Sequence, residues 1–436
     1  MNTIENIKER FQQRLLIEEG SQLVHIEKNA FDTFTKMGIP TVKHEEWKYT
    51  RITGLFNKDF EFAPGGPATS FSSNDLDSVR LPGHEEANEL VFVNGFYSAS
   101  LSTIRSGELV ILPLEEAAKN EYHEIVSKHL GHSSKYVRDG VHALNTAFVR
   151  GGIFIGIKNG QVIGHPVYIY HITDTRSANI LSQPRSLVHI SERAQVQLVE
   201  TYATIGSAES FTNQVMEIIV EKDAMVEYYK IQNDFAHTNQ VSTTHFRQVE
   251  KSYLHAVTVS LNGGLVRNNL NIAMEAKHCE AHLYGLYFLH GQSHIDNHSV
   301  VDHVNPNCMS NEFYKGIIND SATAVFNGKI FVQPQAQKTN AYQSNKNTLL
   351  SDTATVNTKP QLEIFADDVK CSHGCTVGRL DEEGLFYLRS RGISEKIARS
   401  LLIHAFAVDI LEHIKPVAIR NYVDRLISER LEFDIT

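Results

Sequence analysis

Apolar and polar residues alternate with two different periods along this chain, and the change of period divides it into three. In residues 1 to about 60, Ile4, Ile7, Phe11, Leu15 and Leu16 recur every three to four positions, and so do Leu23, Ile26, Phe31 and Phe34. That spacing predicts two helices, the second stopped by Gly38. "GIPTVKHEEWKYTRI" follows, with the single tryptophan, Trp47. From Phe60 to about Asn88 the chain is rich in Gly, Pro, Ser and Asn, as expected of a linker or irregular connection.

From Leu90 the period falls to two. "LVFVNGFYSASL", "GGIFIGIKNGQV" and "HPVYIYHITD" are short alternating runs broken by Gly, Asn and Pro, the pattern of strands. After Pro184 the runs repeat. Units begin at Ala194, Ala224, Ser252, Cys279, Ala322 and Ala354, with gaps of 30, 28, 27, 43 and 32 residues. Each unit has a small residue, an alternating run, a turn and a second run. A period of this size points to stacked repeats, and one or two short strands per unit favour a β-helix over a propeller. An antiparallel sandwich with accidental regularity is the alternative.

The helical period returns after residue 380. Ile397, Leu401, Leu402, Ala405, Val408 and Leu411 form one stripe, with Ser394 placed to cap it. Pro416 suits the first turn of a last helix striped by Ile419, Tyr422, Val423, Leu426 and Ile427. The expected architecture is mainly β, with an N-terminal helical region and linker (1–88), a β-helix core (89–380) and a C-terminal helical region (381–436).

Composition narrows the function classes. Hydrophobic residues make up 42% and charged residues 21%, as in a soluble globular chain, and 41 basic against 51 acidic residues leave a net charge of −10. An acidic chain lacks the basic face that non-specific nucleic-acid binding needs. No run approaches a membrane span, and "MNTIENIKERFQQRLL" lacks the apolar core of a secretory signal. The expectation is a cytoplasmic protein whose cysteines, Cys279, Cys308, Cys371 and Cys375, are thiols. There is no P-loop, no Gly-x-Gly-x-x-Gly opening a helix and no Gly-x-Ser-x-Gly, so no bound nucleotide is expected. His290, His294 and His298 stand four apart but among strands, where a structural role or an interface fits better than a zinc site.

The chemistry concentrates in "IFADDVKCSHGCTVG", Ile364 to Gly378. In a strand, residues i and i+2 share a side, so Cys371 and His373 project together. Thiolate and imidazole suit iron or zinc. Cys375 adds a third ligand if the strand continues, but Gly374 predicts a bend. Two ligands are half of a cluster or zinc site, which takes four. Two further readings stand beside this one. Cys371 is a small buried hydrophobe and His373 a turn residue; or Asp367 and Asp368 are the acid and base of a β-helix carbohydrate hydrolase.

"NEFYKGIINDSATAVFNGKIFVQPQAQKTNAYQSNKNTLLSDTATVNTKPQLEIFADDVKCSHGCTVG" (Asn311 to Gly378) resembles the core signature of the SufB/SufD family. "GLFYLRSRGISEKIARSLLIHAF" (Gly384 to Phe406) continues the likeness, and "HEEWKYT" (His44 to Thr50) is similar to a segment preceding the β-helix in SufD. "ADDVKCSHG", with no Cys-rich motif before Cys279, is closer to the SufD than to the SufB branch. The resemblance implies a right-handed parallel β-helix flanked by helices. It implies a non-catalytic scaffold of an iron–sulfur cluster assembly complex, paired with SufB through the β-helix and with the ATPase SufC through about residues 384–414. It also implies that Cys371 and His373 serve a transient cluster shared with SufB, the histidine being the more important. Cys375 stands where the family would place a small residue such as alanine. Without SufB, a homodimer is the expectation.

Overall fold

The computed structural model describes residues 3–15, 22–62 and 71–433. Leu16 and residues 63–70 of the expected connection lie outside these, as does the side chain of Leu15.

Strands along the chain go alternately to two parallel sheets, so each turn of the solenoid contributes two strands. Sheet one runs from Ile153–Ile157 through Arg185–Ile190, Ser210–Val220, Thr238–Gln248, Leu265–Met274, His294–His303 and Thr323–Val332 to Thr355–Ile364. Sheet two runs from Asn88–Val93 through Val167–Asp174, Gln195–Ile205, Met225–Asn233, Tyr253–Asn262, Glu280–Leu289, Met309–Ile318 and Asn340–Leu349 to Lys370–Arg379. This is a parallel β-solenoid, not a sandwich. Between the sheets lies a core of inward residues such as Val226, Leu254, Ala281, Met216, Ile218 and Phe246. Equivalent residues stack in columns: Val196, Val226, Leu254, Ala281, Ser310, Ala341 and Cys371 occupy one position on seven strands of sheet two.

A corner shared by five of the sheet-two strands accounts for the repeat. Arg193, Asp223, His278, Asn307 and Lys338 have positive φ, and each precedes a small buried residue and then the strand. The left-handed conformation turns the chain sharply, and the small residue (Ala194, Ala224, Cys279, Cys308 or Thr339) fits the tight inner corner. Cys279 and Cys308 are therefore corner residues on adjacent turns, and their thiols donate to the Ala276 carbonyl at 3.3 and 3.1 Å. All four cysteines are free thiols. The sequence repeat changed frame at one point. Ala194, Ala224, Ser252 and Cys279 precede sheet-two strands, whereas Ala322 and Ala354 precede sheet-one strands. The 43-residue gap is a full turn, to Cys308, followed by a half turn.

Helices cover the outer faces. Thr3–Leu15 and Gln22–Met37 form as the spacing predicts, and the second stops at Gly38, whose φ is +66°. Their apolar side chains, with Trp47, Phe56 and Phe60, pack with the helix Gly140–Ala147 against Phe211 and Val241 of sheet one. Part of the stretch expected to be solenoid is thus helical, since Leu114–Ala117, His123–His129 and Gly140–Ala147 also lie within it. At the other end of the chain, helices Glu382–Ser390, Glu395–Leu411 and Val417–Phe433 follow the last strand. Ser394 caps the second as expected, its side chain accepting from the Ile397 N–H. The last two helices lie against sheet two, with Ile403, Ala407, Ile410, Ile419, Val423 and Ile427 on Val257, Val259, Leu286, Phe288 and Ile317.

Polar contacts under the helices on sheet one set a pH dependence. The His132 ring shares a 2.9 Å hydrogen bond with His245, and the Ser133 hydroxyl one of 2.9 Å with His142. Arg247 meets His129 at 2.8 Å and pairs with Glu275. Burial lowers the pKa of His129 and His142 to about 4 and of His245 to about 3; Arg247 adds to the effect at His129 and Arg185 at His142. In the unfolded chain these groups titrate near ~6.5. Their contribution to stability is therefore complete above that pH and is lost on acidification toward the folded values, by up to ~1.4 kcal/mol per histidine per pH unit. The melting temperature should fall as pH goes from 7 to 4, and less steeply in His245→Gln; equal slopes in thermal unfolding would show that His245 plays no part.

Candidate functional site at the open end of the solenoid

The last turn is uncovered. Thr355–Ile364 pairs only with Thr323–Val332, and Lys370–Arg379 only with Asn340–Leu349. Among the described residues nothing pairs with the outer edge of either strand. Free N–H and C=O groups on an edge are a template for another strand.

The strand Lys370–Arg379 runs unbroken through Gly374. The bend expected there is absent, so Cys371, His373 and Cys375 all project to one side. In-register partners give the direction. Cys371 continues the column of Ala341, His373 that of Gln343 and Cys375 that of Asn345, and all three partners are buried. The side chains thus point along the solenoid interior, at its open mouth. Every residue of the strand is exposed except Cys371, which packs partly on the core, where burial pushes its thiol pKa up. Cys375 is the accessible thiol.

Alternate residues on a strand are ~6.5–7 Å apart, so the two cysteines are ~13 Å apart along it. With metal–sulfur bonds of ~2.3 Å, His373 can share one ion with either cysteine, but both cysteines cannot bind the same ion without distorting the strand. Among the described residues no group of three His, Cys, Asp or Glu is placed to hold a metal. Donor types fit iron, and their number leaves the set incomplete.

Below the mouth the interior is polar, which the sequence reading did not pick out. Gln343 Nε2 donates to Glu312 Oε2 at 2.7 Å. Asn345 Nδ2 donates to the Tyr287 hydroxyl at 2.8 Å, that hydroxyl to Asn347 Oδ1 at 2.6 Å, and Thr358 Oγ1 to Asn345 Oδ1 at 2.9 Å. Glu312 is buried, and the loss of water raises its carboxyl pKa, with opposing hydrogen bonds from Ser299 and Gln343. The available signal was alternation itself: in "NAYQSNKNTL" the inward positions are Ala341, Gln343, Asn345 and Asn347.

Other candidates have structural roles. Asp367 and Asp368 form the corner before the last strand. The Lys338 N–H donates to the Asp368 carbonyl at 2.7 Å, the Asp368 N–H to Gln337 Oε1 at 2.9 Å, and the Lys338 ammonium pairs with the Asp368 carboxylate. Asp368 is thus tied into the corner by both its backbone and its side chain. His294 and His298 face outward on sheet one and fasten "HEEWKYT". Thr50 Oγ1 and His294 Nε2 are 2.9 Å apart, His298 lies 3.0 Å from Asp296 and 3.5 Å from Glu46, and the Arg267 guanidinium stacks 4.0 Å from the Trp47 ring centre. His290 lies in the turn region before the strand His294–His303.

A second exposed feature adjoins the mouth. Phe386, Tyr387, Ile397 and Leu401 are 73, 56, 56 and 47% exposed on the first two C-terminal helices. No helix among the described residues is long and apolar enough to cross a membrane.

Comparison with known proteins gives a family match along nearly the whole chain. Residues 171–406 match the model described as "SUF system FeS cluster assembly, SufBD core domain", and residues 3–169 match "SufBD protein N-terminal region". The chain is 32% identical over 425 residues to an iron–sulfur cluster assembly SufBD family protein of Synechocystis sp., covering 94% of this chain and 92% of that one. It is 30% identical over 404 residues to the iron–sulfur cluster assembly protein SufD of Escherichia coli, covering 91% and 90%.

Proposed function

Because this chain belongs to the SufBD family of iron–sulfur cluster assembly proteins, we propose that it is a non-catalytic scaffold subunit acting as a SufD, joined to SufB and to the ATPase SufC. The observation that carries the reading is the uncovered last turn, which presents His373 between Cys371 and Cys375. SufB strands add to the free edges by main-chain hydrogen bonding. That joint sets His373 beside thiols of SufB, which complete a ligand set this chain only begins. The nascent cluster is cargo held at the joint, and no nucleotide binds here. Cys375 is the accessible thiol of the pair and Cys371 the one anchored in the core, so Cys375 is the better placed to reach iron beside His373. Without SufB, the same edges pair with a second copy.

SufC docks on about residues 384–414. Exposed Phe386, Tyr387, Ile397 and Leu401 supply the apolar anchors. The helix Glu395–Leu411 is tied to sheet two by Lys315, whose Nζ donates to the Phe406 carbonyl at 2.9 Å, and the helix Val417–Phe433 behind it by Arg430, whose Nη1 donates to the Leu261 carbonyl at 2.6 Å. Movement of SufC on ATP binding is therefore transmitted to the solenoid and biases the joint at its mouth between closed and open arrangements.

Co-expression with SufB and SufC tests the reading. The double variant Phe386→Asp/Leu401→Asp should reduce SufC recovered with the complex about tenfold or more. Its melting temperature should not change, because both side chains are exposed. Undiminished SufC recovery would remove these helices from the docking surface.

A further inference from the structure

We propose that Gln343 is a positioning residue for His373, fixing its ring for ligation, and that Glu312 fixes Gln343 in turn. This rests on the reading of His373 as a cluster ligand. Glu312, Gln343 and His373 occupy one position on three successive strands of sheet two, the first two buried and the last at the mouth. Gln343 Nε2 donates to Glu312 at 2.7 Å, which fixes the amide and leaves its Oε1 as a buried acceptor with no partner. An amide turned the other way would set its oxygen against the Glu312 carboxylate. Opposite stands Gly328, where a Cβ would lie 2.3 Å from the Gln343 amide nitrogen, so the amide reaches across the interior only because that position has no side chain.

A buried acceptor without a donor costs about 1–3 kcal/mol. The next residue in the column, one strand (~4.8 Å) on, is His373, whose side chain makes no bond to this oxygen in the structure and would reach it by turning inward. A neutral imidazole has one N–H. Donated to Gln343 Oε1, that N–H fixes the tautomer and ring orientation and leaves the lone pair of the other nitrogen directed at iron. Ligating histidines are commonly oriented by such a partner. A neutral amide does this without placing a second charge beside the cluster.

The test uses the full chain labelled with 15N-histidine, at a pH where the ring is neutral, with the His373 signals assigned by their loss in His373→Ala. The wild-type chain should show one tautomer, with well-separated shifts for the two ring nitrogens. Gln343→Met keeps the volume but removes the acceptor; Gln343→Asn keeps the amide but shortens its reach. Either variant should narrow the separation as the tautomers exchange, and cluster yield in the complex should fall about 10- to 100-fold. If one variant fails to fold, the other decides. Unchanged shifts in a folded variant overturn the proposal, even if yield falls, because the effect then comes from packing. Normal yield from His373→Ala would instead overturn the ligand reading, which the tautomer measurement does not test.

Discussion

Replacing His373 with alanine should lower cluster formation by the assembled complex by about 10- to 100-fold and leave the complex intact. The size follows from the losses usual when a metal site loses one of its supports. The change should scarcely affect folding. His373 is exposed on a terminal strand, and substitutions at such positions usually shift stability by less than ~0.5 kcal/mol. Reconstitution with the partner subunits, followed by iron and sulfide analysis, gives the yield, and native mass measurement shows whether assembly is intact. Full yield in an intact complex would mean that the mouth of the solenoid presents no essential ligand. The two thiols should differ. Cys375→Ser removes the accessible sulfur, whereas Cys371→Ser changes a residue partly packed in the core, so the larger loss of yield is expected from the first.

The largest loss of stability should come from Glu217→Ala, about 3–5 kcal/mol. Glu217 lies buried on the outer face of sheet one, paired with the buried Arg185 guanidinium. Its carboxylate also accepts the N–H groups of Gly131 and Ser133 at 2.8 and 2.7 Å. Burial alone would raise its pKa. Arg185, together with these backbone donors, outweighs that and lowers it to about 2. Removing the carboxylate strands a buried guanidinium and two backbone donors, Ser133 buried and Gly131 half-buried, the case in which breaking an ion pair is most costly. It also releases the 131–133 turn that holds the helical layer to sheet one. Urea unfolding compared with wild type measures the change; a loss below ~1 kcal/mol would mean that water reaches Arg185 and takes over its solvation.

How much of this was legible depended on the distance over which the cause acts. The N-terminal and C-terminal helices follow from local spacing, and the stop at Gly38 and the start at Ser394 from local backbone and capping chemistry. The solenoid followed from alternation and a small residue at each corner. The frame error at Ala322 arose because both sheets use the same kind of corner, so a half turn and a full turn look alike in one dimension. The helices at 114–147 were masked by apolar strands on either side. At the site, the bend assigned to Gly374 was wrong because pairing with Asn340–Leu349 holds the strand straight through a residue that alone permits a turn.

By itself the sequence determined that Cys371, His373 and Cys375 share a side once they lie in a strand, because the side-chain period of a strand is two. It also determined that they are too few to complete a cluster site, because that is a matter of counting donors. Only the tertiary structure decided which side they share. Register with buried Ala341, Gln343 and Asn345 turns them toward the interior, and the end of the solenoid leaves that interior open. It also assigned Asp367 and Asp368 to a corner and placed an unused amide acceptor next to His373. These relations join residues about thirty positions apart, and stacking one turn on the next brings them into contact.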